Sequence, residues 1–185
     1  RNARACVWLA SAYFVPSRKL RRTLRRAALR GVDVRLLVPG PVTDHPAVRF
    51  ASRRFYTRLL RDGVRIFEYR QRFMHSKVAL VDQWSSIGSS NLDRWNLRWN
   101  LEASQEVDDA GFAAQVTQML RVDFEHSGEI DYLAWQRRSV LHRLREWLWG
   151  RVDNLLDKWM PQDSPDTRKR GRHGHGGDSN DQAES

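Results

Sequence analysis

Three short apolar runs, separated by two amphipathic segments, fill the first 70 residues and leave few architectures open. Val7 to Phe14 (VWLASAYF) is apolar, rich in aromatics and ended by Pro16, the pattern of a buried strand. Ser17 is placed to cap a helix running to about Arg30, with Gly31 as its stop. Leu20, Leu24, Ala27 and Ala28 form its apolar stripe, and Arg21, Arg22, Arg25 and Arg26 lie off it. Val32 to Val38 (VDVRLLV) is a second strand, closed by Pro39-Gly40-Pro41. Residues 46–62 predict a second helix, with Val48, Ala51, Phe55 and Leu59 on one face and Gly63 as the stop. Val64 to Tyr69 is a third strand. Strand–helix–strand–helix–strand is the order of an α/β domain, here a mixed β-sheet flanked by helices.

Two further apolar runs follow, Met74 to Val81 and Ser86 to Leu92, with Asp82 to Ser85 as the turn of a hairpin. Residues 109–125 have helical spacing, with Phe112, Val116, Met119, Leu120 and Phe124 on one face. A third long helical pattern, Ser139 to Met160, carries Leu141, Leu144, Leu148, Val152, Leu155 and Trp159 as its stripe. Trp147 and Trp149 stand among basic residues there, as in a helix lying at a membrane interface, although a helix packed on its own domain has the same pattern. From Gln162 onward the chain is rich in Asp, Ser, Gly, Arg and His without periodicity, which predicts disorder. The expected organisation is a catalytic half-domain over residues 1–135, truncated at its N-terminus because residue 1 is Arg, then an amphipathic segment over 136–161 and a tail over 162–185.

Charge narrows the partners. Residues 1–72 hold 18 Lys and Arg against 4 Asp and Glu, so the net +10 of the chain lies entirely in its first part. Such a field attracts nucleic acid, anionic lipid headgroups or phosphorylated substrates, and the Arg21–Arg26 cluster is either such a face or a solvated helix surface. The single cysteine, Cys6, excludes an internal disulfide framework and fits a reducing compartment. The longest apolar stretch is too short to span a bilayer, which needs about 20 residues.

The chemistry-bearing pattern is His75-x-Lys77, then Asp82, then Gly88-Ser89-Ser90-Asn91. Residues two apart on a strand share a face, so His75 and Lys77 point the same way. Pairing of the two runs brings Asn91 toward them. Lysine and asparagine suit the non-bridging oxygens of a phosphoryl group, and histidine suits nucleophilic attack or proton transfer near neutral pH. Ser89 or Ser90 adds a hydroxyl donor, and Gly88 leaves room for a ligand at the backbone. No metal or other cofactor is required, because the cationic role is already filled.

HSKVALVD followed by GSSNLD resembles the His-Lys-Asp motif of the phospholipase D superfamily. SAYFVPSRKLRRTLRRAALRGVDVRLLVPG, NLRWNLEAS and WLWGRVDNLLDKWMP resemble the C-terminal half of bacterial cardiolipin synthases. The resemblance implies a phospholipase-D-like fold and a catalytic set of His75, Lys77, Asp82 and Glu102, with Lys77, Ser89 and Asn91 binding phosphate. It implies two histidines, one per half: one becomes a phosphohistidine and the other, here His75, acts as general acid and base. Asp82 matches a motif aspartate that is more structural than catalytic, and Glu102 an acidic residue that orients the imidazole. The spacing Gln83 to Ile87 is one residue shorter than is usual in that family, which makes the position of Asn91 depend on the turn.

The implied activity is phosphatidyl transfer between phosphatidylglycerol-type lipids to give cardiolipin, peripherally on the cytoplasmic face of a bacterial inner membrane. The implied partners are those phospholipid substrates, the membrane surface and a missing N-terminal half with a second motif. The alternatives are a phospholipase-D-type hydrolase, a superfamily nuclease that dimerises and binds nucleic acid, or an inactive membrane-binding domain.

Overall fold

A computed structural model describes residues 2–44, 46–89 and 102–138. Strand β1 (Cys6–Ser11) leads through helix α1 (Arg18–Leu29) to β2 (Asp33–Pro39), and α2 (Pro46–Arg53) and α3 (Tyr56–Arg61) lead to β3 (Arg65–Tyr69). The hairpin β4 (Lys77–Val81) and β5 (Trp84–Gly88) follows, then β6 (Ser104–Asp108), α4 (Ala110–Glu125), β7 (Ser127–Glu129) and α5 (Tyr132–Gln136). The described strands make one sheet in the order β6-β5-β4-β1-β2-β3-β7. β1, β2 and β3 run parallel to their neighbours in that group, and the remaining pairs are antiparallel. The fold is therefore the mixed α/β sheet flanked by helices that the sequence predicts.

Alternation along each strand builds a core on both faces. Val7 and Leu9 of β1 join Val34, Leu36 and Val38 of β2 and Ile66 of β3 beneath Leu24 and Ala27 of α1, Tyr56, Leu59 and Leu60 of α3, and Trp135 of α5. Trp8, Ala10, Leu37, Phe67 and Leu80 face the other way onto Ala113, Val116, Leu120 and Phe124 of α4. Leu36, Ile66, Leu80 and Leu120 are fully buried, each worth roughly 2 kcal/mol of apolar transfer. Both crossover helices sit on the first face, and α4 covers the second while linking the two edge strands. Ser17 caps α1 by accepting from the Leu20 N–H at 3.2 Å, and Gly31 ends it at φ +87°.

The structure departs from the sequence pattern in three places. The helix expected over 46–62 is two helices, broken at Arg54–Phe55, where the Phe55 N–H turns back to the Ser52 carbonyl at 3.0 Å. The break shifts the buried register by one residue: Tyr56 is fully buried, while Phe55 is only half-buried under the guanidinium groups of Arg21 and Arg54. The hairpin turn is Asp82-Gln83 alone, with Val81 paired to Trp84, so Trp84 and Ser85 belong to the strand. The edge strands β6 (SQEVD) and β7 (SGE) carry almost no apolar signal and were not legible as strands. The amphipathic pattern over 139–160 and the tail lie outside the described residues, as does Asn91.

Candidate active site

Parallel strands β1, β2 and β3 all end at one edge of the sheet, and β4 begins there, with Lys77 opposite Ser11. The loops after the three strands converge at that edge, the usual place for a ligand in an open α/β sheet. Tyr13 comes from the first loop, Asp44 from the second, and Phe73 and His75 from the third. Gly40 makes the convergence possible: its N–H donates to the Tyr69 carbonyl at 2.9 Å, and a β-carbon there would collide with that carbonyl.

His75 and Lys77 meet as the strand period requires. The Lys77 Nζ lies 3.0 Å from each ring nitrogen of His75 and donates to the His75 backbone carbonyl at 2.9 Å. The His75 ring stands edge-on to Tyr13, with centroids 6.2 Å apart, and tilted to Phe73 at 5.6 Å. Its open side faces solvent. Burial pushes the Lys77 ammonium below the ordinary lysine range, while the carboxylates of Glu102 and Asp44 act in the opposite direction. Glu102, expected to orient the imidazole, is thus placed where its field bears on Lys77.

Asp82 stands elsewhere. It lies five positions after Lys77, just past the end of β4, about 17 Å along the strand. Its carboxylate accepts from the backbone N–H groups of Arg4, Ala5 and Cys6, each at 2.9 Å, and its own backbone sits at φ +54°. Burial raises its pKa, yet those three donors more than offset this and hold it below the usual carboxylate value. Asp82 is a turn residue that ties the hairpin to the start of β1.

With Val78 opposite Ile87, Gly88 comes level with Lys77 across the two-residue turn. Gly88 itself makes room for the neighbouring chain rather than a ligand: a β-carbon would strike the Ala103 carbonyl and Ser104. Ser89 grips the same segment. Its N–H donates to the Ala103 carbonyl at 2.9 Å and its Oγ accepts from the Ala103 N–H at 3.0 Å. This clamp fixes the residue next to Glu102.

Two site residues were missed from the sequence. The Tyr13 hydroxyl donates to Asp44 Oδ2 at 2.6 Å, which joins the ring beside His75 to the carboxylate beside Lys77. Behind them, Glu68 of β3 is buried and held by Arg49 at 2.7 Å, which braces α2 on the sheet. No spacing rule marks Tyr13 or Asp44, because loops from two different strands bring them together. A groove of about 460 Å³ between Val64, Arg65, Glu129 and Tyr132 lies at the other end of the sheet, away from His75.

The topology, with a histidine–lysine pair where the parallel strands end, defines a phospholipase-D-like domain. Residues 1–126 match the family model for the cardiolipin synthase, PLD-like domain. The chain belongs to that family. Cardiolipin synthase A of Pseudomonas putida is 49% identical over 151 residues, which cover 81% of this chain and 30% of that protein. Cardiolipin synthase A of Pseudomonas aeruginosa is 44% identical over the same shares. The chain thus spans about 30% of the length of these curated relatives. Phosphatidylserine synthase of Haemophilus influenzae superposes with a TM-score of 0.66 at 14% identity, over 84% of this chain and 41% of that one. Nuc of Salmonella typhimurium, a phospholipase D family member, superposes with 0.60 at 17% identity, over 70% of this chain and 84% of that one. At these identities the two structures share the fold with this chain.

Proposed function

We propose that this chain supplies one half of the active site of a phosphatidyltransferase that makes cardiolipin from phosphatidylglycerol-type lipids. The observation that carries the reading is the Lys77 ammonium set against the His75 imidazole at the mouth of the sheet, in a chain of the cardiolipin synthase family. The second histidine and its lysine come from the rest of the protein. One histidine attacks phosphorus, so that a P–N bond forms as the P–O bond to the departing alcohol breaks. His75 gives that alkoxide its proton, then takes the proton of the acceptor hydroxyl as that oxygen attacks phosphorus and the P–N bond breaks. Lys77, with Asn91 from the neighbouring segment, neutralises the non-bridging oxygens throughout. Tyr13 and Asp44 hold the pair in place. The enzyme works at the surface of a bacterial inner membrane; among the described residues no helix is long and apolar enough to cross one.

The excess of basic residues on the α1 side also favours a second reading, a nuclease of the same superfamily. The complete protein is incubated with labelled phosphatidylglycerol and, in parallel, with DNA, and the products are read by mass spectrometry. Cardiolipin and glycerol, lost in the His75→Ala variant, support the transferase. Phosphatidic acid alone makes it a hydrolase, and cleaved DNA with unchanged lipid makes it a nuclease. Full transfer by His75→Ala sinks the mechanism.

A further inference from the structure

The helices that cover this sheet differ sharply in charge. Helices α1, α2 and α3 hold six, two and two basic residues and no acidic one. Helix α4, on the other face, holds Arg121 against Asp123 and Glu125. Part of the basic set has internal partners: Arg25 and Arg61 flank Asp62, Arg49 binds Glu68, and Arg21 stacks on Phe55. Arg18, Lys19, Arg22, Arg26 and Arg58 are exposed and make no ion pair among the described residues.

Arg18, Arg22 and Arg26 recur every four residues, in one line along α1. Like charges at that spacing repel, and Arg18 and Lys19 oppose the helix dipole in a first turn that contains no acid. The helix holds this row against its own electrostatics, through the burial of Leu24 and Ala27. Leu29, 68% exposed, continues the row three residues beyond Arg26. A bilayer interface accepts a leucine beside its anionic headgroups, and a nucleic-acid backbone offers it nothing.

We infer that the exposed row of α1 is a docking surface for an anionic phospholipid bilayer. The choice of lipid over nucleic acid rests in part on the transferase reading above. The row begins at the edge of the sheet where His75 lies, since α1 starts from the loop that carries Tyr13. Docking along it orients the domain with α4, on the other face of the sheet, away from the membrane.

The test is co-sedimentation of the whole chain with vesicles of phosphatidylcholine alone and of phosphatidylcholine mixed with phosphatidylglycerol. Wild type is compared with a variant carrying Arg18→Gln, Lys19→Gln, Arg22→Gln and Arg26→Gln, and with Arg121→Gln on α4. The fourfold variant is expected to bind mixed vesicles about tenfold or more weaker. It should melt no lower than wild type, because a repulsive row has been removed, and Arg121→Gln should bind normally. Equal binding by the fourfold variant overturns the inference, as does equal binding of wild type to phosphatidylcholine alone. Loss of duplex-DNA binding with vesicle binding unchanged also overturns it and makes the row a nucleic-acid face. Vesicle binding is read without turnover, so a failure of the transferase reading leaves this readout intact.

Discussion

Replacing Asp82 separates a structural aspartate from a catalytic one. Its carboxylate accepts three backbone N–H bonds at 2.9 Å, from Arg4, Ala5 and Cys6. Bonds to a charged acceptor are worth about 1.5–3 kcal/mol each when shielded; here one carboxylate serves all three at a partly exposed site, so screening reduces the total to about 2 kcal/mol. The backbone at φ +54° adds about 1 kcal/mol against alanine, and asparagine tolerates it. Asp82→Ala should therefore cost about 3 kcal/mol, Asp82→Gly about 2 and Asp82→Asn about 1. Urea denaturation reads this as a midpoint that falls in that order with an unchanged slope. Because the folded pKa lies below the ordinary value of 3.8, the stabilisation is fully present above that value and is lost as pH falls through the folded pKa. Wild type should lose stability more steeply than Asp82→Asn below about pH 4. In the complete enzyme Asp82→Asn should keep partial activity. A variant of wild-type stability without activity would refute the assignment and return Asp82 to the chemistry.

Other outcomes follow from the same contacts. Glu102→Gln and Asp44→Asn each remove a carboxylate that sustains the Lys77 ammonium, so the alkaline limb of the pH–rate profile should move to lower pH. NMR of labelled lysine should show Lys77 deprotonating earlier in both variants, and an unmoved Lys77 would exclude the coupling. Gly88→Ala forces a β-carbon into Ala103 and Ser104 and should cost about 1–3 kcal/mol, with the backbone resonances of residues 102–104 displaced. Glu68→Ala leaves the half-buried Arg49 without its partner and should destabilise by about 2 kcal/mol in thermal unfolding. Trp135→Ala removes the ring that packs on Tyr56 at 5.1 Å and should cost about 4 kcal/mol.

The sequence by itself determined the first three strands, the helix between the first two of them, and the shared face of His75 and Lys77. Each of these follows from a local period, two for a strand and 3.6 for a helix, written in apolar residues that recur along a few turns. The edge strands β6 and β7 escaped because an edge strand is held by backbone pairing, which leaves no hydrophobic trace in SQEVD or SGE. The break at Arg54–Phe55 escaped because both halves carry helical spacing, and only packing on the sheet shows which residue turns inward. Tertiary structure alone decided which partners the polar motif residues meet. It sent Asp82 to the far end of the strand, engaged Ser89 with Ala103, and gave the missing side chain of Gly88 to a neighbouring strand. It also brought Tyr13 and Asp44 to the histidine–lysine pair. A motif records which residues are needed, and a role depends on which atoms come within hydrogen-bond reach once strands distant in sequence have paired.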